Sequence, residues 1–203
     1  MIDCLFDDDL SGNNELEFSI DEGTQLDLNM VDLSIGDMDM HLSVHLGRGS
    51  SCNIRLASVC QPGMKKVFAF DTIHDEGNTL SRTKMAGINL GDGTLRFIGT
   101  SDVVNGAHGS DTRQEGRITN LSEGSRSEVS PALLIKDNEV NASHGAAVGA
   151  YDPEAMYYLM SRGLTEAESR RLITVGSLIP IIDSLSDKSL AAEVYNSLEA
   201  LKI

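Results

Sequence analysis

Hydrophobic and polar residues alternate along the first three quarters of the chain. The clearest run is 38–46, in which every second residue is apolar and Asp39, His41, Ser43 and His45 take the positions between. Period-two alternation indicates β-strands with one buried face. Shorter runs of the same kind, separated by Gly, Asn and Asp, recur at 16–20, 26–30, 52–56, 85–90, 95–97 and 133–135.

Many short strands with no helical segments between them predict a sandwich, a barrel or a β-solenoid. The spacing of strands and turns is compatible with the coils of a β-helix, although the sequence has no strict repeat. The left-handed solenoid built from six-residue units is excluded, because that unit is missing. Periodicity alone leaves the three architectures open.

The last quarter of the chain changes to a helical period. Asp152 and Pro153 predict a helix start, because aspartate accepts hydrogen bonds from free N–H groups and proline suits the first helical position. Gly163 predicts the end of this helix. Residues 165–168, TEAE, predict a capping box for a second helix, whose end Pro180 should kink or weaken.

A third helix is predicted near the C-terminus, with Ser186 or Asp187 as its cap. Its apolar residues form a narrow stripe that either packs on neighbouring elements or serves a partner. The stripe consists of Leu190, Val194, Leu198 and Leu201. We therefore expect a β-rich domain over 1–149 and a helical module over 150–203.

Composition narrows the function classes. The formal net charge of −15 repels nucleic-acid phosphates and anionic membrane surfaces. No apolar run approaches the roughly 20 residues of a membrane span, and the acidic N-terminus lacks the features of a signal peptide. The three cysteines are odd in number and lack zinc-site spacing. These features predict a soluble cytoplasmic protein without nucleic-acid or membrane partners.

Among the histidines, His144 is the most particular, because a run of small residues follows it. A lone histidine of this kind is either a hydrogen-bonded residue at the edge of the core or a metal ligand and proton carrier. His41 and His45 share one polar strand face, where a solvated surface competes with metal binding. His74 and His108 are predicted in turns.

Basic residues form two groups in this acidic chain. Arg113, Gln114 and Arg117 form a polar cluster that suits either an anion site or a salt-bridged strand edge. The helical module carries a second group, which either meets an acidic partner or balances the chain's own charge. It consists of Arg162, Arg170 and Arg171.

Signatures of common enzymes are missing from the sequence. The chain has no P-loop, no G-x-S-x-G turn and no H-E-x-x-H helix, so a stand-alone enzyme has little support. An enzyme acting on carbohydrate is also disfavoured, because aromatic residues make up only 4% of the chain and tryptophan is absent. The composition therefore favours a binding or scaffold role.

Residues 142–149, ASHGAAVG, together with 157–159, YYL, and 161–164, SRGL, resemble the core of the SufB/SufD family. Members of this family are scaffold proteins of the SUF iron–sulfur cluster assembly system. The upstream segment 105–114, NGAHGSDTRQ, follows the order of the same family. The resemblance extends from about residue 40 to about residue 185. Its 142–164 part is specific, whereas the upstream part is Gly-rich and alternating.

The resemblance implies a mainly β fold, a right-handed parallel β-helix followed by a small C-terminal α-helical module. It implies a scaffold rather than an enzyme, paired along its β-helix with a second SufB/SufD-like chain or with its own copy. The C-terminal helices of such scaffolds dock onto SufC, an ABC-type ATPase, which supplies the P-loop missing here. The residues expected at this docking surface are Tyr157, Tyr158, Arg162, Gly163, Leu164, Arg170 and Arg171.

By the same resemblance, His144 matches a SufD-branch histidine at the interface between scaffolds, where it would bind the transient iron–sulfur cluster as a metal ligand. The SufB branch carries an essential cysteine shortly before the proline that aligns with Pro131; this chain has no cysteine there, and Ser125 is nearest. It also has Gly145 where SufB tends to carry an acidic residue. The chain therefore resembles a short SufD. The missing cysteine leaves an alternative, a structural or regulatory partner of the ATPase that holds no metal.

Overall fold

A computed structural model of the protein describes residues 1–6 and 12–201. Strands in these residues are β1 Ile2–Phe6, β2 Gly12–Ile20, β3 Gln25–Asp32, β4 Met38–Leu46, β5 Ser51–Cys60, β6 Lys65–His74, β7 Leu80–Asn89, β8 Thr94–Val103, β9 Asp111–Asn120, β10 Arg126–Ile135 and β11 Asn141–Gly149. Odd-numbered strands form one parallel sheet, here the odd sheet, and even-numbered strands form the even sheet. The chain alternates between the two sheets and forms a parallel β-solenoid of about five turns, which confirms the β-helix.

The coils of the solenoid differ in length. Register partners Gln25 and Ser51 lie 26 residues apart, whereas Asp111 and Asn141 lie 30 apart. Stacked turns join the strands, and Asn78 adopts a left-handed φ of 59° where its N–H donates to the His108 carbonyl of the next turn. Unequal coils explain why the sequence shows no strict repeat.

Side chains of alternate strand positions fill the interior between the two sheets. In the N-terminal coils these inner positions are apolar, with Met40, Leu42 and Ile54 fully buried. In the C-terminal coils apolar inner residues such as Phe97 and Ile118 are joined by polar ones, and the buried inner polar residues include His74, Ser81, Ser101, Thr112 and Gln114. The interior therefore gains a polar part toward the C-terminal end of the solenoid.

Two inner residues of the described N-terminal strands, Lys66 and Asp32, are charged and form an ion pair. Lys66 of β6 is fully buried, and its Nζ lies 2.8 Å from Asp32 Oδ2 and 2.8 Å from the Ser34 carbonyl. A buried ammonium group is tolerated when it is paired and hydrogen-bonded in this way. The prediction that His74 lies in a turn was wrong, because it is the last residue of β6 and is buried among hydroxyl groups.

Three helices follow the strands within the described residues: α1 Pro153–Ser161, α2 Glu166–Ile182 and α3 Lys188–Ala200. The predicted caps are confirmed for all three. Asp152 accepts the Glu154 N–H at 2.9 Å, 165–168 form the capping box, and Asp187 rather than Ser186 caps α3. Pro180 lies inside α2, which ends two residues later at Ile182.

Helices α2 and α3 pack on the outer face of the odd sheet. Leu178, Ile181 and Val194 are fully buried there. They form a second apolar cluster with sheet residues Val31, Ala57, Val59, Ala86, Ile88 and Leu90. The apolar stripe of α3 therefore packs on neighbouring elements. None of the helices in residues 12–201 has both the length and the apolar character needed to cross a membrane.

Candidate functional site

The C-terminal end of the solenoid is open. Strand β11 is the last of the odd sheet and β10 the last of the even sheet, and no further strand pairs with either in the part of the chain described. All nine residues of β11 are exposed, whereas alternate residues of the preceding β9 are buried. Backbone groups and inner-row side chains at this end are therefore available to a partner.

His144 lies in the middle of β11. Its register partner in β9 is Gln114, and because Gln114 is an inner residue, His144 belongs to the inner row at the open end. His144 is exposed, and its side chain makes no hydrogen bond or ion pair with the residues that the structure describes. Its imidazole is therefore free to bind a ligand from outside the chain.

Gln114 closes the interior directly below His144. It is 2% exposed, and its Nε2 donates to Ser101 Oγ at 2.6 Å and to the Ala132 carbonyl at 3.3 Å. Its Oε1 is buried and accepts no hydrogen bond. The sequence cluster of Arg113, Gln114 and Arg117 is therefore divided, because Gln114 points inward while Arg113 bonds Glu115 on the outer face.

A chain of buried hydrogen bonds continues inward from Gln114. Ser101 Oγ lies 2.7 Å from Thr112 Oγ1, which accepts from Ser81 Oγ at 2.7 Å. Ser81 Oγ lies 2.9 Å from His74 Nε2, and Thr79 Oγ1 lies 2.7 Å from His74 Nδ1. Burial lowers the pKa of His74 to about 4, so its ring is neutral at pH 7. This polar column supports the open end at which His144 lies.

The three cysteines do not fit a cluster site with His144. Burial raises the pKa of Cys52 to about 12 and that of Cys60 to about 11, and it also raises the pKa of Cys4. These thiols are therefore protonated, and a protonated thiol is a poor metal ligand. Cys52 lies in β5, three strands from β11, which is about 14 Å at the usual strand spacing.

The other histidines pair with carboxylates. The ring nitrogens of His41 and His45 lie on the outer face of the even sheet, each 2.8 Å from an aspartate of the next coil, Asp71 and Asp75. His108 Nδ1 lies 3.0 Å from Asp137 Oδ1, and backbone hydrogen bonding from Glu139 lowers the pKa of Asp137. Within residues 1–6 and 12–201, no three His, Cys, Asp or Glu side chains are grouped to hold a metal ion.

A second exposed surface lies on α1. Tyr157 is 77% exposed, and Tyr158, Met160 and the α2 residue Leu172 are also exposed. The guanidinium of Arg162 lies 5.2 Å from the centre of the Tyr158 ring, a cation–π contact that orders this tyrosine. Aromatic side chains with a neighbouring arginine are the residue types that dominate protein interfaces.

The remaining predicted docking residues have mainly local roles. Arg170 bonds Glu166 at 2.8 Å, and Arg171 donates to the carbonyls of Leu198 and Leu201 at 3.0 Å, which caps the end of α3. Gly163 ends α1 with a φ of 99°. Leu164 lines an apolar groove of about 380 Å³ between α2 and α3. The structure thus brings Tyr158 and Arg162 into contact and leaves Tyr157 exposed on the same helix, whereas Arg171 contacts the end of α3.

The sequence of the chain is similar to proteins of iron–sulfur cluster assembly. Residues 9–177 match the family model described as SUF system FeS cluster assembly, SufBD core domain. The chain is 37% identical over 103 residues to the iron-sulfur cluster assembly protein SufD of Bacillus subtilis, a segment covering 51% of this chain and 24% of that relative. It is 35% identical over 99 residues to an iron-sulfur cluster assembly SufBD family protein of Mycobacterium tuberculosis, covering 48% and 25%. The matched segments span a quarter or less of these relatives.

Proposed function

Since the chain belongs to the SufBD core family of the SUF system for iron–sulfur cluster assembly, we propose that it is a scaffold subunit of that system. In this proposal it dimerises through its solenoid and docks a SufC-type ABC ATPase through its C-terminal helices. The observation that carries the proposal is the open end of the solenoid, where every residue of β11, including His144, is exposed. The three unpaired cysteines support a cytoplasmic setting.

Dimerisation is supported by the unpaired strand edges of the open end. An exposed edge strand presents unsatisfied N–H and C=O groups that pair readily with another chain. The inner row of this end also leaves apolar side chains uncovered, because Val148 and Ile135 are exposed. A second copy, or a second SufB/SufD-like chain, would cover both the backbone groups and these side chains.

The position of His144 makes a partner chain necessary for cluster binding. One imidazole is a single ligand, and iron–sulfur clusters are held mainly by thiolates. The chain's own thiols are buried and protonated, as the raised pKa values of Cys52 and Cys60 indicate. His144 would therefore contribute one ligand at the interface, and the remaining ligands would come from the partner.

Docking of the ATPase is supported by the exposed aromatic surface of α1. Tyr157 and Tyr158 supply apolar area, and Arg162 supplies a positive charge beside them in a chain with a net charge of −15. Helices α2 and α3 cover apolar residues of the odd sheet, so deleting them would expose Ile88 and its neighbours. Substitutions on α1 are therefore a cleaner test than removal of the helices.

A second candidate is a structural or regulatory partner of the ATPase that holds no metal. It is favoured by one observation, the lack of any three-ligand group in the described ranges. A single measurement distinguishes the two candidate functions. The full chain is reconstituted anaerobically with a SufC-type ATPase, iron and sulfide, and iron and acid-labile sulfide are determined per chain after desalting. The scaffold retains both, whereas the metal-free partner binds the ATPase and retains neither.

A further inference from the structure

A groove lies between helix α2 and the outer face of the odd sheet. Its volume is about 650 Å³. Lys84 of β7 and Arg117 of β9 lie on its floor, and Ile173, Gly176 and Pro180 of α2 line its wall. This face of β9 is opposite to the inner row that contains Gln114. Residues 145–147 of β11 also line the groove, so it lies beside the strand that carries His144, on the outer side of the sheet.

The two cations of the groove have no acidic partner. Neither the Lys84 nor the Arg117 side chain makes a hydrogen bond or an ion pair with another residue in the described ranges. The chain has 31 acidic and 16 basic residues, so a basic strand residue readily finds a carboxylate. Strand and turn residues that do so are Arg48, Arg55, Lys66, Arg82, Arg96, Arg113 and Lys136.

The register places the two cations within reach of one anion. Lys84 is paired with Glu115, and Arg117 follows two residues later on the same face of β9. With about 4.8 Å between strands and about 3.3 Å per residue, the two Cα atoms lie about 8 Å apart. Lysine and arginine side chains are long enough to converge on one phosphate from that distance.

Acidic groups in the groove are already engaged. Glu115 accepts a hydrogen bond from Arg113 Nε at 2.8 Å, and Asp152 accepts the Glu154 N–H at the start of α1. The Arg170 guanidinium lies 5.4 Å from the centre of the ring of Tyr151, which also lines the groove, but it is paired with Glu166. Glu115 and Asp152 keep their negative charge, and their oxygens hold the hydrogen bonds given above, which leaves Lys84 and Arg117 as the groove cations whose side chains have no partner among the described residues.

Gly176 leaves the groove open, although no neighbouring atom requires a glycine at this position. It lies inside α2, and a Cβ added to it would meet no atom within 4 Å. Glycine inside a helix costs about 1 kcal/mol relative to alanine, so an alanine here would fit and stabilise the helix. The missing side chain leaves space beside Ile173 and Pro180, which supply an apolar wall.

We propose that this groove binds a small organic phosphate, with its phosphate on Lys84 and Arg117 and its apolar part along Ile173 and Pro180. The proposed contacts use neither His144 nor the exposed tyrosines of α1, so binding at this groove can be measured apart from cluster assembly. Charge-assisted hydrogen bonds to the phosphate supply the affinity, and contact with the wall supplies the preference for an organic ester over free phosphate.

The test is calorimetric titration of the full chain with phenyl phosphate, inorganic phosphate and phenol at constant ionic strength. Phenyl phosphate should bind more tightly than phosphate, and phenol should not bind. In the double variant Lys84→Ala, Arg117→Ala the affinity for phenyl phosphate should fall at least about tenfold, because two charge-assisted contacts are lost. Both residues are exposed, so this variant should keep the fold.

The matched control is Lys65→Ala, Arg126→Ala, which removes the same charges from exposed positions on the even sheet. Its affinity for phenyl phosphate should stay unchanged. Gly176→Leu should fill the groove and weaken binding while leaving the charges in place. Absence of binding to the unmodified chain, equal binding by the groove variants, or an equal loss in the control would each overturn the proposal.

Discussion

His144 and Gln114 are register partners in the last strand pair of the odd sheet, one exposed and the other 2% exposed. The exposed imidazole has no partner in the described chain, and the buried carboxamide has an acceptor oxygen without a donor. The polar interior of the solenoid therefore ends directly below the residue that we propose as a cluster ligand.

The buried ring of His74 makes stability depend on pH. Its pKa is about 4 in the folded protein and 6.5 as the ordinary value, so between these values the unfolded chain binds more protons than the native one. Stability from this group is complete above pH 6.5 and declines as the pH falls toward 4, by about 3 kcal/mol in total. Urea unfolding at pH 7.5, 6, 5 and 4 measures this decline.

His74→Gln is the comparison for that measurement, because glutamine keeps hydrogen-bonding groups and does not titrate. The carboxylates of the chain titrate equally in both proteins, so the difference between the two stability curves reports His74 alone. The free energy of unfolding of the unmodified protein should fall more steeply between pH 6.5 and 4. Parallel curves would show that the ring is not held neutral by burial.

The ion pair of Lys66 and Asp32 should be sensitive to loss of one partner. Lys66→Met leaves the buried Asp32 carboxylate without its cation, which costs about 3–5 kcal/mol. Lys65→Met, at the exposed neighbouring position, should change the free energy of unfolding by less than about 0.5 kcal/mol. Similar values for the two variants in chemical denaturation would contradict the buried pair.

These inner residues explain which strands the sequence could predict. Strand β4 alternates cleanly because its inner row, which includes Met40 and Leu42, is apolar. Strand β9 was not predicted, because inner residues such as Gln114 are held by hydrogen bonds rather than hydrophobic contacts, so the strand has the sequence of a polar segment. Strand β6 was not predicted for a different reason. Its inner row contains Phe68 and Phe70, but outer residues such as Val67 are apolar too, so the alternation of apolar and polar residues is lost.

The candidate site was predictable only in part. The small-residue run after His144 singled out the histidine, and the caps of α1 and α2 are local signals that the structure confirms. The position of Gln114 below His144 depends on a coil of 30 residues, and because the coil lengths differ, no constant period reveals it. The number of residues between equivalent turns of successive coils is the sequence signal from which this pairing of Gln114 with His144 could be found.

If the chain dimerises through the open end, a charged substitution at that end should disrupt the dimer and one at the opposite end should not. Val148 and Leu16 are inner-row residues at opposite ends of the solenoid, 44% and 37% exposed. Val148→Asp should give monomers in sedimentation, because a buried unpaired carboxylate opposes the interface. Leu16→Asp should leave the dimer intact. Dimers in both variants would rule out the open end as the interface.

Docking through α1 predicts a loss of ATPase binding without loss of fold. Tyr157→Ala with Tyr158→Ala removes two exposed aromatic side chains, and the affinity for a SufC-type ATPase should fall by about tenfold or more. Ile35→Ala removes an apolar side chain that is exposed elsewhere and should have no effect. Surface plasmon resonance measures both variants. Unchanged affinity in the tyrosine variant would exclude this surface as the dock.

The central claim is that His144 contributes to a cluster held at the open end. The most direct test is anaerobic reconstitution of His144→Ala with the ATPase, followed by determination of iron and acid-labile sulfide per chain. His45→Ala is the control, because His45 pairs with Asp75 on the outer face of the even sheet. We predict that His144→Ala loses most of the iron and sulfide and that His45→Ala retains them. Equal retention in both variants, at the level of the unmodified protein, would contradict the role of His144.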